Sequence, residues 1–370
     1  MKKREIFLSD YKLSYPVEKI ADPKDILFVD IETTGFTAKG SALYLIGCVW
    51  NNGKGYVITQ FMADTYESEK DVLSAFFTFS SSFKVLVHFN GNNFDIPFLK
   101  EKAKQYKMEN ALERLEGVDL YRRINPYKSM LKLPNCKQKT IEKFLGIHRE
   151  DPYSGGDLIG VYHAYVKDHD PAKENDLFLH NRDDLLGMLA ILPMLNYFDL
   201  FAGPLTVVAA QANTYTNVHG EECKELVMTA KIPSDIPTPI SGSGKGCHFS
   251  AKNGEVVIKV PIVEKELKYF YSNYKDYYYL PDEDVALHKS VASFVDKAHR
   301  TPAKASNCYT RRVSTYIPEW EPIITPFFKE DYLSKDMYFE LTDEIKKNRE
   351  LFSGYATHIL TYIGLGQGQA

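Results

Sequence analysis

The sequence predicts an α/β chain: a mixed sheet flanked by helices, then a smaller α+β region. Three observations carry that prediction. Apolar, strand-like runs at residues 26–31, 43–50 and 56–61 are joined by turns such as Asn51-Asn52-Gly53, the pattern of an antiparallel meander. A helical stretch at 70–79 then leads to a fourth strand at 85–89, so consecutive strands give way to alternating elements. Past residue 203 the character changes, with Ala202-Gly203-Pro204 closing a helical region. The 370 residues, 44% of them apolar, are enough for two cores, expected at 1–202 and 203–370.

The first strand ends in Asp30-Ile31-Glu32-Thr33-Thr34-Gly35. Side chains alternate across a strand, so Asp30 and Glu32 share a face, and Gly35 lets the chain turn away. Like charges held that close repel unless something neutralises them, and a hard divalent cation does so. The fourth strand runs into His88-Phe89-Asn90-Gly91-Asn92-Asn93-Phe94-Asp95, where the Asn/Gly cluster signals a turn. Pro97 opens a helix there, so Asp95 either caps that helix or adds a third carboxylate at a strand end. Residues 118–120 offer a short fifth strand, and 140–145 and 158–166 two helices, with Asp157 as a cap for the latter. A long helix at 171–192, which Pro193 ends, buries Leu177, Leu185, Met188, Leu189 and Leu192. It carries His180-Asn181-Arg182-Asp183-Asp184, with His180 and Asp184 one turn apart on one face, the spacing that lets a histidine orient a water beside a metal-binding carboxylate.

Taken together and in this order, D-I-E-T-T-G, N-G-N-N-F-D-I-P-F-L and H-N-R-D-D-L-L-G-M resemble the three motifs of the DEDD exonucleases of the RNase H-like superfamily. The chain is most similar to YprB-type ribonuclease-H-like proteins and to the proofreading domains of family B DNA polymerases. The resemblance covers about residues 20–200. It implies an RNase H-like mixed sheet and 3′–5′ hydrolysis of single-stranded DNA or RNA. It also implies two Mg²⁺ or Mn²⁺ ions held by Asp30, Glu32, Asp95 and Asp184, with His180 acting on the attacking water. Thr33, Asn90 and Asn93 fall inside the motifs and are expected at the nucleic acid. His180 departs from the pattern: it stands at the spacing of the tyrosine-type motif, and Asp183 competes with Asp184 as fourth ligand. A non-catalytic binding module that keeps the fold is the rival reading, and the presence of all four carboxylates argues against it.

A net charge of −4 by itself disfavours nucleic acid, yet its distribution does not. From Arg122 to Arg149 there are eight cations, among them Lys132, Lys137 and Lys139, against the single acid Glu142. The segment reads as a phosphate-contacting surface, with Tyr121 and Tyr127 available to stack on bases. Five scattered cysteines and a basic N-terminus without an apolar stretch suggest reduced thiols and a cytoplasmic protein. No apolar run of membrane-spanning length is evident, so no membrane contact is expected.

The second region offers strands at 225–231, 248–250, 254–260, 269–271 and 277–280, and helices at 285–297 and 338–362. Ser241–Gly246 mimics a phosphate loop but fails its template, since position 239 is Pro and 246 is Gly, and reads as a flexible turn. His219, Cys223, Cys247 and His248 lack zinc-site spacing. No catalytic motif stands out here, which leaves substrate selection or a protein partner as roles for 203–370.

Overall fold

A computed structural model describes residues 1–148, 155–232 and 234–364. Two compact units divide the chain, Met1–Phe198 and Asp199–Ala370, four residues ahead of the boundary expected from the sequence.

The first unit is built on a six-stranded mixed sheet. Its strands are β1 (Lys2–Leu8), β2 (Ile26–Thr33), β3 (Leu43–Asn51), β4 (Tyr56–Met62), β5 (Val85–His88) and β6 (Glu116–Asp119), in the spatial order β1-β4-β3-β2-β5-β6. β2, β3 and β4 form the antiparallel meander, while β5 pairs parallel with both β2 and β6. β1 was not anticipated. Its sequence, KKREIFL, alternates charged and apolar residues, as suits an edge strand exposed on one face. Between the strands run α1 (Glu69–Ser80) and α2 (Asp95–Gln105), and after β6 come α3 (Leu120–Ile124), α4 (Gln138–Phe144), α5 (Gly155–Asp168) and α6 (Pro171–Ala190). Asp157 lies inside the first turn of α5 and so does not cap it. Nor does Asp95 cap α2, whose N-cap position is Phe94.

The two faces of β2 do different work. Leu27, Val29 and Ile31 enter one core with Val72, Leu73 and Phe76 of α1 and Phe98 and Leu99 of α2. On the opposite side Tyr44, Leu45 and Met62 pack with Leu158, Tyr162 and Tyr165 of α5 and Leu177 and Phe178 of α6. Asp30 and Glu32, on the even-numbered face, are thereby directed towards α6. A buried ion pair ties the first layer together: Lys102 Nζ lies 2.8 Å from Glu69 Oε1, which also accepts the Leu43 amide at 2.6 Å.

By length and composition alone, the helical run Pro171–Ala202 could cross a membrane, contrary to the reading of the sequence. Of its most apolar window 67% is buried in the protein, as in the core helix of a globular unit. The run is interrupted by a 3₁₀ turn at Leu192–Met194, where Pro193 stands.

The second unit is richer in strand than expected. An eight-stranded sheet holds the 16-residue strand Glu255–Phe270, which absorbs two strands read separately from the sequence. A three-stranded sheet stands beside it in the chain. Two expected helices are corrected. Val285–His288 is a strand paired with Tyr277–Leu280, followed by the four-residue helix Lys289–Ala292. Met337–Glu340 is a strand on Tyr309–Glu319, and helix resumes at Asp343–Lys347 and Arg349–Gly364, unbroken at Gly354. Ser241–Gly246 is mostly strand, the hairpin from Ile240–Gly244 into Cys247–Lys252.

Glu319 is fully buried in this unit; Oε2 accepts the Ile324 amide at 3.0 Å, and Oε1 has no partner among the described residues. Burial raises its carboxyl from 4.5 to about 7. Between those values the folded state holds a proton that the unfolded chain has released, so stability falls as pH rises from about 4.5 to about 7, then levels off. The span is worth on the order of 3 kcal/mol. Glu319→Gln should remove that slope in urea unfolding of the second unit; an unchanged pH profile would contradict the assignment.

Candidate metal centre

Five side chains from three elements gather at the C-terminal end of β2: Asp30 and Glu32 from β2, Asp95 from α2, and His180 and Asp184 from α6. Glu32 Oε1, His180 Nε2 and Asp184 Oδ2 lie within 4.8 Å of one another. His180 Nε2 is 3.2 Å from Asp184 Oδ2 and 3.7 Å from Glu32 Oε1. Glu32 and His180 are buried, whereas Asp184 opens to solvent. A register shift in the β2–β3 pairing falls between Glu32 and Thr33, where Leu45 and Leu43 are their partners and Tyr44 is the extra residue. The Tyr44 hydroxyl ends 3.5 Å from Glu32 Oε2.

Asp30 stands at the centre of this crowding. Burial, then the charges of Asp184, Glu32 and Asp95, push its carboxyl well above the usual range, against an opposing hydrogen bond from Asn181. Asp95 is raised to about 7, chiefly by burial and despite backbone hydrogen bonds that favour its charged form. Tyr44 is pushed up by burial and by Glu32 and Asp30. Four carboxylates forced together with a histidine form a donor set that suits a hard divalent cation, whose charge relieves the repulsion.

Asp183, the rival to Asp184, is directed elsewhere. Its carboxylate meets Arg182 at 3.1 Å and faces a 260 Å³ cavity that Tyr11, Glu142 and His148 also line.

Asp95 reaches the site through a pinned turn. Asn90 adopts φ +59°, a conformation that Asn tolerates. The Asp119 carboxylate, at the end of β6, accepts the amides of Asn90 at 2.9 Å and Asn92 at 3.3 Å. His88 Nδ1 accepts the Gly91 amide at 3.1 Å. Of the expected strand contacts, Thr33 Oγ1 donates to the Gly35 carbonyl and Asn93 Nδ2 to Asn90 Oδ1, so these side chains brace the two turns that flank the cluster.

Sequence reasoning missed Asn181, Asp119 and Phe36. Asn181 lay unnoticed between the motif letters. Asp119 closes a four-residue strand that the sequence did suggest, but nothing local pointed to its work on the Asn90 turn. Phe36 follows Gly35 directly and is 90% exposed, its ring 6.4 Å from that of Phe94; an aromatic placed just after a turn glycine was its available cue.

The basic segment docks through α4. Gln138 Nε2 donates to the Asp184 carbonyl at 2.8 Å and to Glu142 Oε1 at 3.0 Å. Lys137 and Lys139 flank Gln138 and are exposed, as is Lys132. Tyr127 is buried and unavailable to stack on a base, and Tyr121 packs edge-on against Phe89. Arg149 lies outside the described residues.

A family model described as the RNase_H superfamily matches residues 27–196. The match covers nearly the whole first unit, whose mixed sheet flanked by helices is consistent with an RNase H-like fold. Among solved structures, the chain is similar to the family B DNA polymerase from the hyperthermophilic archaeon Pyrobaculum calidifontis, at 20% identity and a TM-score of 0.39, over 47% of this chain and 25% of that one. It is also similar to E. coli exonuclease I in complex with a dA16 oligonucleotide, at 14% identity and a TM-score of 0.27, over 56% of this chain and 54% of that one. A product-bound exonuclease I gives 10% identity and a TM-score of 0.32, over 91% and 71%. The chain thus spans a quarter of the polymerase and about half of the oligonucleotide-bound exonuclease. No curated protein matches the chain.

The placement of the two neighbouring aspartates is open to direct test. Asp184→Asn should weaken Mn²⁺ binding, measured by calorimetry, by more than the roughly 10-fold that losing even an outer partner costs. Asp183→Asn should leave it near wild type. The reverse ranking would shift the ligand by one residue along α6.

Proposed function

We propose that this chain is a divalent-metal-dependent nuclease: a 3′–5′ exonuclease that hydrolyses phosphodiester bonds of single-stranded DNA or RNA. The observation that carries the reading is the meeting of Glu32, His180 and Asp184 within 4.8 Å, beside a buried Asp30 whose carboxyl is raised by burial and then by the charges of Asp184, Glu32 and Asp95. The match of residues 27–196 to the RNase_H superfamily model supports the same chemistry.

Asp30, Glu32 and Asp184 would hold Mg²⁺ or Mn²⁺, with Asp95 supporting a second ion. Cations bound there neutralise the phosphate, acidify a water and stabilise the leaving oxygen. The protein's own groups do the rest. His180, with Nε2 turned into the cluster, takes the proton of the attacking water. Phe36, exposed beside the first motif, offers a face on which a terminal base can stack. Lys132, Lys137 and Lys139 contact the backbone phosphates of the strand, and Thr33, Asn90 and Asn93 shape the turns that face it. The second unit is left free to select substrate or to bind a protein partner.

Purified protein with Mn²⁺ or Mg²⁺, given 3′- and 5′-labelled single-stranded DNA and RNA, should shorten strands from the 3′ end. Asp30→Ala or EDTA should abolish this, and His180→Ala should slow it by roughly two to four powers of ten. Activity that survives EDTA or Asp30→Ala would refute the assignment, and loss of label from the 5′ end first would reverse the polarity.

Replacing Lys132, Lys137 and Lys139 with Gln should weaken single-strand binding regardless of sequence. It should also flatten the salt dependence by about 0.7 for each phosphate no longer neutralised, with little change in turnover at saturation. Equal binding by parent and variant across about 50–200 mM salt would move the strand to another surface.

A further inference from the structure

Three residues form one row across the meander: Asp30 on β2 is paired with Gly47 on β3, which is paired with Gln60 on β4. The middle position carries no side chain. Asn181 of α6 occupies that gap, so closely that a Cβ on Gly47 would fall 1.9 Å from its Oδ1. There it joins the two ends of the row. Asn181 Nδ2 donates to Asp30 Oδ2 at 2.9 Å, and Gln60 Nε2 donates to Asn181 Oδ1 at 2.9 Å. Gln60 and Asn181 are both fully buried.

The direction of this chain of bonds is fixed from its far end. Gln60 Nε2 also donates to the Phe178 backbone carbonyl at 3.0 Å. A carbonyl can only accept, so the amide nitrogen of Gln60 must face it, and both its hydrogens are then used. Asn181 must turn its oxygen to Gln60 and its NH₂ to Asp30; the flipped orientation would set donor against donor at one end and acceptor against acceptor at the other. The arrangement has a cost. Gln60 Oε1 is buried with no partner among the described residues, which disfavours the folded state. An apolar side chain of similar length would avoid that but would leave the buried Asn181 Oδ1 without its donor, so stability gives glutamine no clear advantage at this position.

We propose that Asn181, locked by Gln60 over Gly47, is the positioning residue that holds the Asp30 carboxylate in the orientation in which it takes up a divalent cation. The proposal rests on the metal-site reading given above and deepens it. The amide takes one lone pair of Asp30 Oδ2, which leaves Oδ1 and the second lone pair of Oδ2 for a cation. Outer partners of this kind orient a ligand before the ion arrives. Gln60 touches no ligand and acts only through Asn181.

The test is Mn²⁺ binding by calorimetry and electron paramagnetic resonance, with urea unfolding in parallel, on wild type, Asp30→Ala, Asn181→Leu, Gln60→Met and the Asn181→Leu/Gln60→Met double variant. Asn181→Leu should weaken Mn²⁺ binding about 10- to 100-fold and broaden the Mn²⁺ spectrum of the site. Gln60→Met should weaken it less, because Asn181 then samples both amide orientations, while its urea midpoint stays close to wild type, since one stranded oxygen replaces another. The double variant should bind no more weakly than Asn181→Leu alone. Wild-type affinity in Asn181→Leu, or additive losses in the double variant, would overturn the proposal. Should Asn181→Leu fail to fold, Gln60→Met decides: unchanged affinity, or a lowered midpoint with a proportionate loss of binding, overturns it as well. Failure of the underlying metal-site reading is separately visible, since then wild type and Asp30→Ala would bind Mn²⁺ alike.

Discussion

Mutual repulsion among Asp30, Glu32, Asp95 and Asp184 is the constraint around which the first unit is arranged. Left to themselves, carboxylates crowded together would separate or protonate, and at Asp30 burial first and then the charges of Asp184, Glu32 and Asp95 raise the carboxyl. Holding them together demands elements that cannot yield. β2 is an inner strand of the sheet, flanked by β3 and β5, so Asp30 and Glu32 cannot move apart without breaking pairing on both sides. Asp184 is fixed by α6, whose Leu177 and Phe178 are sunk among Leu158, Tyr162 and Tyr165 of α5. Asp95 is carried by a turn that Asp119 and His88 stitch to the ends of β6 and β5. Three separate elements supply the four carboxylates, and each element is anchored by contacts on its far side.

That division explains what could be read in the sequence. Strand alternation and helix periodicity are local rules, so the placement of Asp30 with Glu32 and of His180 with Asp184 followed from spacing alone. The turn that delivers Asp95 was legible from its Asn/Gly composition. What escaped was long-range. Gly47 gives no hint of its purpose until β2, β3 and β4 are in register and α6 lies across them. Asn181 was passed over because its partners, Asp30 and Gln60, are 151 and 121 residues away in sequence. Asp119 was read as part of a short strand, whereas its work is on the backbone of a turn 29 residues earlier.

In the second unit, pairing overrode local pattern. Val285–His288 looked helical because apolar residues recur through 285–297, but Tyr277–Leu280 offers it a partner across a turn in which Asp284 takes φ +52°. Met337–Glu340 likewise finishes the edge of Tyr309–Glu319 before Thr342 caps the next helix through the Ile345 amide. Aromatic residues suit a pleated surface when one is available, and no single segment reveals that it is.

The same long-range placement leaves a mark on the polar interior. In the first unit Gln60 Oε1, His88 Nε2 and Tyr162 OH are buried without partners among the described residues. All three stand one step behind a site carboxylate. Gln60 orients the amide on Asp30, His88 braces the turn before Asp95, and the Tyr162 ring stacks at 4.3 Å on Tyr44, whose hydroxyl reaches towards Glu32. Unsatisfied polar atoms are few in a native interior, and each one lowers stability. Their coincidence with the layer behind the carboxylates is what is expected if that layer is selected to aim charged ligands and the apolar core beneath β2 offsets the loss. A structural core alone would have no use for polarity here: methionine, leucine and phenylalanine would fill the same spaces without stranded polar atoms, and the carboxylates would then be free to drift apart.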